Sequence, residues 1–385
     1  MKQNYSLLIV GYHASLLQLA PVIKHLKDEN PEAMISLMTN LLENVPEVIK
    51  KNVVEILPIY TYSERARNPI IRTWFGKAFF LFSFVKLIFR RYDIINIHFA
   101  KPWLFYAIPC LRRMTKNVVI TPWGSDVLRL EGEKNKKKLQ KVYESAHFVT
   151  VSSGSKLGKA IIEKFACDPS KFHPLKFGMD FVDYLKEVKP NKTTEQAKDR
   201  FGLLGKYVIT CGYSTARSHQ HKMIIEAVFS IKQYLPDNIV LLFPFTYGWG
   251  GNDYVQSIKD KCTELGLKAV FVETFLSDAD LYLLRKSTDM FVNVQTTDAE
   301  AASVMQYILC KKKIVSGTWL KYTAMEKYSP LFYFPVHDLK ELGSVILDAF
   351  NAEEIHVSQG LIDYIMARGW KQVIVKWNEF FMSLK

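Results

Sequence analysis

The sequence predicts an α/β protein built as two doubly wound parallel-sheet domains facing across a cleft. Three observations carry this. Short apolar runs alternate with helical stretches almost from end to end, the pattern of strands buried on both faces of a parallel sheet. The polar, lysine-rich segment EVKPNKTTEQAKDRFGLLG (187–205) breaks the alternation once, after which it restarts. A chain of 385 residues is too long for one ordinary domain and suits two. The reading is a first domain over 1–186, a linker over 187–205 and a second domain over 206–385, its last helix able to cross back to the first. In such folds ligands bind at the C-terminal ends of the strands.

The strands expected in the first domain are SLLIVGYH (6–13), MISLMT (34–39), VVEILPI (53–59), DIINIHF (93–99), NVVIT (117–121), HFVTVS (147–152) and FHPLKFG (172–178). Directly after the first comes GYHASLLQLAPVIKHL (11–26). Its glycine permits a tight turn, and the helix N-terminus behind it favours an anion. An ordinary strand–helix turn fits as well. No GxGxxG is present, so a dinucleotide cofactor is not supported. IHFAKPW places His98 and Lys101 at a strand end, where His98 is either a base or a hydrogen-bonded structural residue. ITPWGSDVLR (120–129) sets Trp123, Gly124, Ser125 and Asp126 at the end of the next strand. They read as site-facing, with Trp123 alternatively a packed lid.

The stretch RTWFGKAFFLFSFVKLIFRR (72–91) is aromatic-rich and flanked by Arg72, Arg90 and Arg91. Lys77 and Lys86 interrupt it, so it is not expected to span a bilayer. It is expected to lie at an anionic membrane surface with its aromatic face in the headgroup boundary. A helix buried against the sheet is the alternative.

In the second domain the strands are KYVITCG (206–212), NIVLLFPF (238–245), KAVFVE (268–273), DMFVNV (289–294), KIVSG (313–317) and LFYFPV (331–336). In CGYSTARSHQHKMIIEA (211–227), Arg217 lies in the loop and Lys222 in the first turns of a helix. Cations at a helix N-terminus oppose its dipole unless an anion sits there, and a diphosphate is the obvious anion. A solvated loop with incidental charges is the alternative. TTDAEAASVMQYILCKKKIVSG (296–317) reads as loop, helix from near Glu300, and strand, with Lys311, Lys312 and Lys313 suiting the helix C-terminus.

The net charge of +13 is uneven. Residues 1–180 hold 27 Lys/Arg against 15 Asp/Glu; residues 181–385 hold 24 against 23. The first half therefore faces something anionic. No helix-turn-helix, zinc or RNP pattern points to nucleic acid. The five cysteines, Cys110, Cys167, Cys211, Cys262 and Cys310, are scattered, so no metal site is expected and reduced thiols in a cytosol are the default. The first apolar run is shorter than a signal-peptide core, and no stretch offers about 20 uninterrupted apolar residues, so neither a leader nor a spanning helix is expected.

Taken in order, the GYHAS turn, WGSD (123–126), VSSGS (151–155), FGMD (177–180), GYSTARSHQHK, FPFTYGWGGNDY (243–254), TDAEAASVMQ and GTWLKY (317–322) resemble the GT-B-fold glycosyltransferases of the family-four type, over almost the whole chain. FPFTYGW and QTTDAEAASVMQ carry a weaker likeness to bacterial transferases that add 4-acetamido-4,6-dideoxygalactose to a lipid-linked glycan. The resemblance implies a nucleotide-sugar donor on the second domain, a lipid-linked or polysaccharide acceptor on the first, and usually retention without a metal or other cofactor. Carried onto this chain, it makes Arg217 and Lys222 the diphosphate pair, Asp298 the carboxylate facing the donor sugar, Gln306 the ribose contact and Asp126 a residue near the transferred sugar. Gly212, Tyr213, His221, Tyr247, Thr297 and Ser303 fall on the donor side. Gly11, Tyr12, His13, His98 and Trp123 fall on the acceptor side. Trp123 stands where many relatives have histidine, and Gln306 where they have glutamate.

A neutral amide can still hold a ribose diol, because it both donates and accepts. If the leaving phosphate takes the acceptor proton, retaining transfer needs no protein nucleophile. The expectation is thus a working glycosyltransferase for a surface glycan, cytoplasmic and peripheral to the inner face of the plasma membrane. The alternative is a degenerate accessory subunit that binds glycan or a partner transferase. The altered Gln306 and Trp123 favour that alternative; the retained Arg217 and Lys222 oppose it.

Overall fold

The computed structural model describes residues 4–12, 16–40, 42–43, 45–60, 69–248, 250–299, 301–322, 328, 332–353 and 355–385. The chain divides into two compact units. Residues 1–178 and 368–385 form the first, and residues 179–367 the second.

The first unit is a six-stranded, all-parallel sheet of β1 (Ser6–Val10), β2 (Met34–Thr39), β3 (Glu55–Pro58), β4 (Ile94–His98), β5 (Val118–Thr121) and β6 (Phe148–Val149), in the order β3-β2-β1-β4-β5-β6. Its helices are α1 (Leu16–Glu29), α2 (Glu47–Asn52), α3 (Pro69–Val85), α4 (Ile108–Met114), α5 (Ser125–Leu128), α6 (Glu133–Ser145) and α7 (Lys156–Phe165). β1, β2, β4 and β5 are apolar almost throughout because both faces are covered.

The second unit repeats the plan with β7 (Tyr207–Cys211), β8 (Ile239–Pro244), β9 (Ala269–Val272), β10 (Met290–Asn293), β11 (Lys313–Gly317) and β12 (Tyr333–Val336), ordered β12-β11-β10-β7-β8-β9. Around it lie α8 (Asp180–Val188), α9 (Thr194–Asp199), α10 (His221–Ser230), α11 (Asn252–Glu264), α12 (Asp278–Ser287), α13 (Ala302–Leu309), α14 (Leu342–Asn351) and α15 (Gln359–Met366). The last helix, α16 (Trp370–Ser383), belongs to the first unit. There Trp370, Trp377, Phe380 and Phe381 join the core of α1, β1 and β2, and the Trp377 indole N–H donates to the Lys176 carbonyl at 2.8 Å.

In each sheet the strand order reverses once, between β1 and β4 and between β7 and β10. Crossovers leave in opposite directions there, opening a crevice at the strand C-termini. The residues that follow these strands are therefore the ones the topology offers to a ligand.

Three expectations change. FHPLKFG is not a strand: only Phe172 bridges to Val149, and Pro174 has no N–H to extend the ladder. The segment 187–205 is not a free linker. It holds the end of α8 and all of α9, whose Thr193 and Gln196 form a reciprocal capping box. The buried Lys198 ammonium pairs with Glu195 and Asp289, each at 3.0 Å, and Leu203 is buried against Val208 and Leu242. Polarity misleads there because one lysine is paired inside the fold. The lysine cluster also does more than suit a helix end. Lys312 and Lys313 are buried, donating to Thr194 Oγ1 (3.2 Å) and to the Ala352 carbonyl (2.6 Å).

Candidate functional site

In the second unit three loops meet at the C-terminal ends of β7, β8 and β10. Gly212 ends the first strand at φ +65, and a Cβ there would stand 3.0 Å from the His219 ring. The chain then turns through Tyr213–Ala216 into a single 3-10 turn, Arg217–His219. Gln220, in the left-handed region, opens α10. Arg217 is exposed, its guanidinium 4.9 Å from the centre of the Tyr254 ring, and Lys222 is exposed one residue into α10. His219 is buried against Tyr213 and lies 3.0 Å from Ser214 Oγ. His221 does not reach the loop surface. It is fully buried, 3.0 Å from Tyr254 Oη and edge-on to Phe245, and burial pushes its pKa down to about 3. It braces the loop from below as a neutral imidazole.

The second loop docks on the first. Thr215 donates its backbone N–H to the Tyr247 carbonyl at 2.8 Å, and at Gly248 (φ +124) a Cβ would meet Thr215 Oγ1 at 2.6 Å. The third follows β10. Asp298 accepts from the backbone N–H groups of Ala299 (2.7 Å) and Ala301 (3.4 Å) and from the Tyr322 hydroxyl. Asn293 in turn donates to Tyr322 at 2.8 Å. Thr297 and Asp298 are half-buried. The Asp298 carboxylate thus fixes the entry to α13 while remaining at the strand edge.

Gln306 and Ser303, one turn apart on α13, face a residue that sequence reasoning missed. Arg285, in the last turn of α12, is 3% exposed. It donates from Nε to Gln306 Oε1 (3.0 Å), from Nη1 to Tyr307 Oη (2.7 Å) and from Nη2 to Ser303 Oγ (3.4 Å). In sequence it looked like an ordinary helix cation in LLRKS. The signal was its neighbour: an amide in place of a carboxylate eight positions after Asp298.

In the first unit, His98 ends β4 fully buried, stacked on Trp377, with Nδ1 accepting from the Trp123 indole N–H at 3.3 Å. That bond assigns the proton to Nε2, which has no partner. Burial pushes the imidazole to about 3. As it stands it is a neutral donor, not the base the sequence allowed. Trp123 is partly buried and packs on His98 and Phe177. Its backbone N–H donates to Asp126 Oδ1 at 3.0 Å, and burial pushes the Asp126 carboxyl up to about 6. Gly11 is buried after β1, its N–H on the Met38 carbonyl at 3.0 Å, and Lys101 Nζ lies 5.6 Å from the centre of the Tyr12 ring. His13 lies outside the described residues. Three buried polar atoms without partners among the described residues, Thr39 Oγ1, His98 Nε2 and Thr150 Oγ1, stand at the C-terminal ends of β2, β4 and β6. Among the described residues no cluster of His, Cys, Asp and Glu is arranged to hold a metal ion.

Residues 42–153 match the family model described as glycosyl transferase 4-like. The chain has the GT-B fold. The fold is shared with solved structures across both chains' full extent. HepE of Anabaena in complex with UDP is 14% identical, covering 98% of this chain and 100% of that one, with a TM-score of 0.69. Sucrose-phosphate synthase from Thermosynechococcus elongatus is 12% identical, with 99% of each chain covered and a TM-score of 0.71. A glycosyltransferase from Rickettsia africae is 12% identical, again with 99% of each covered, at 0.67. Comparison with curated protein sequences finds no match.

Proposed function

We propose that this protein is a glycosyltransferase that takes a sugar from a nucleoside-diphosphate donor held by the second unit and passes it to a lipid-linked or polysaccharide acceptor of a surface glycan. The observation that carries the reading is the β7–α10 junction. An exposed guanidinium and an exposed ammonium flank a helix N-terminus on a glycine-dependent loop, and no acidic partner of Arg217 or Lys222 lies within 4.0 Å among the described residues. Two cations and free helix N–H groups fit a diphosphate and would stabilise the charge that develops as it leaves. HepE, with the same fold, has been captured with UDP, with UDP and glucose, and with UDP-glucose. Asp298 is the carboxylate positioned at the neighbouring strand end, and we read the transfer as retaining and metal-independent, with the departing phosphate taking the acceptor proton. With its Nδ1 lone pair held by the Trp123 N–H and its proton on Nε2, His98 has no lone pair free to act as a base at that strand end, which supports that reading.

The acceptor reading rests on the first unit. Its orphan polar atoms at the strand ends suit sugar hydroxyls, and its basic surface suits an anionic membrane. Helix α3 and its continuation are two-faced. Phe80 and Phe84 are fully buried, while Phe79, Phe82, Val85 and Phe89 are exposed, Phe89 at 84%. Trp103 and Phe105 add exposed apolar surface to the same unit, and Arg90 and Arg91 follow the helix. The side chains of Arg72 and Lys77 lie outside the described set. No helix among the described residues is long and apolar enough to cross a membrane. We read this face as a peripheral contact with the cytoplasmic leaflet.

Calorimetric titration with UDP, GDP and TDP tests the donor site. Wild type is expected to bind at least one, and Arg217→Ala to weaken it tenfold or more. Equal binding by both proteins would place the diphosphate elsewhere.

A further inference from the structure

The cluster around Arg285 carries a feature beyond a ribose contact. A buried guanidinium is ordinarily matched by a carboxylate, because an unmatched interior charge is expensive. Here no acidic group lies within 4.0 Å of Arg285 among the described residues, and each of its three nitrogens is bonded to a neutral oxygen, on Gln306, Tyr307 and Ser303. The C-terminus of α12 supplies about half an elementary charge, and no carboxylate among the described residues lies close enough to Arg285 to pair with it.

The pattern of donors follows from that. Arg285 takes one of the two lone pairs of the Gln306 carbonyl oxygen and holds that oxygen, while the Gln306 amide keeps its N–H donors. Ser303 accepts from Arg285 and keeps its O–H. Tyr247, 40% exposed, brings its hydroxyl toward Ser303 and Arg285; burial pushes the phenol up, the Arg285 charge and the Ser303 bond work against that push, and the Asp298 charge adds to it. Gln306 and Ser303 are only slightly exposed and Tyr247 much more so, so the cluster runs from the buried charge to the surface. A glutamate in place of Gln306 would cancel the charge and present acceptors to a diol. This arrangement presents donors backed by a cation.

We propose that Ser303, Gln306 and Tyr247, backed by Arg285, form a subsite for an anionic oxygen group of the donor, either a carboxylate on the transferred sugar or the donor diphosphate itself. The subsite rests on the nucleotide-sugar reading above. Arg285 acts through its neighbours and is a positioning residue; it selects the charge of the donor.

The test compares wild type, Gln306→Glu and Arg285→Gln for binding of UDP, UDP-glucose, UDP-glucuronate and inorganic pyrophosphate, by calorimetry and thermal shift. Gln306→Glu is nearly isosteric and pairs Arg285 internally, so it remains informative should Arg285→Gln fail to fold. If the group is a sugar carboxylate, wild type binds UDP-glucuronate at least tenfold more tightly than UDP-glucose, and Gln306→Glu erases the preference. If it is the diphosphate, the two sugars bind alike, and Gln306→Glu weakens UDP and pyrophosphate tenfold. Gln306→Glu that leaves every affinity unchanged, or tightens UDP-glucose, overturns the subsite while the nucleotide-sugar reading stands. Pyrophosphate that stabilises wild type but not Gln306→Glu, with no nucleotide binding, overturns the nucleotide-sugar reading while the subsite stands.

Discussion

Asp126 shows what a single side chain costs at a strand end. Its carboxyl is buried and its pKa is raised to about 6 from 3.8, so the folded protein holds this proton more tightly than the unfolded chain does. The sign follows: the folded state is favoured while Asp126 is protonated, and stability falls as pH rises from about 4 through 6. The shift corresponds to about 3 kcal/mol at most. Asp126→Asn is therefore expected to flatten that part of the stability–pH curve, raising the urea midpoint at pH 7.5 relative to wild type and changing it little at pH 4. A variant with the wild-type slope would show that the carboxyl is not held up by burial. On the donor side, Asp298→Asn keeps an acceptor for the Ala299 N–H but loses the charge that Tyr322 donates to. It is expected to lower kcat more than it changes KM if that charge acts on the transition state. Asp298 stood out in sequence only through the family resemblance of TDAEAASVMQ, and the structure places it after β10. Arg285 did not, because a guanidinium buried by three neutral oxygens looks the same in one dimension as a solvated one.

Loops and helices set these side chains, and their demands are local. Gly248 holds a φ of +124 with backbone of Thr215 2.8 Å from where a Cβ would be. Gly248→Ala is expected to destabilise the second unit by about 1–3 kcal/mol and to weaken nucleotide binding, since the β7 and β8 loops pack there. Chemical denaturation alongside nucleotide titration measures both; unchanged values would mean the two loops are not coupled through that glycine. The face of α3 makes a different demand. Phe79→Ser, Phe82→Ser and Phe89→Ser together remove exposed rings while leaving buried Phe80 and Phe84 in place. Co-sedimentation with anionic liposomes is expected to fall at least tenfold with little change in melting temperature, and wild-type binding to weaken as salt rises. Equal binding to neutral and anionic liposomes would contradict the membrane contact. The composition of 72–91 announced an unusual helix, but which rings turn inward depends on the sheet it packs against. The segment 187–205 erred the other way: its polarity read as a tether, while Lys198 and the capping box fold it into the second unit.

At the scale of the molecule, twelve of the thirteen expected strands are present, and MISLMT and KIVSG keep their expected bounds. Parallel strands buried on both faces are near-continuous apolar runs, so they are the easiest elements to read. The unit boundary was harder. It falls at Gly178–Met179 because α8 and α9 join the second unit, which leaves no local signature, while α16 returns to the first unit as the sequence allowed. Gly11, Tyr12 and His98 lie at the ends of the strands on either side of the first sheet's reversal, and Gly212, Arg217 and Asp298 follow those of the second, whereas Trp123, Asp126 and Tyr247 follow the neighbouring strands β5 and β8. The central claim is transfer from a nucleotide sugar, and steady-state release of nucleoside diphosphate in the presence of bacterial membrane lipid extract tests it most directly. The account predicts turnover by wild type with at least one nucleotide sugar, reduced tenfold or more in Arg217→Ala. Absence of turnover by wild type with every nucleotide sugar, in the presence of acceptor and with the protein folded, would contradict it.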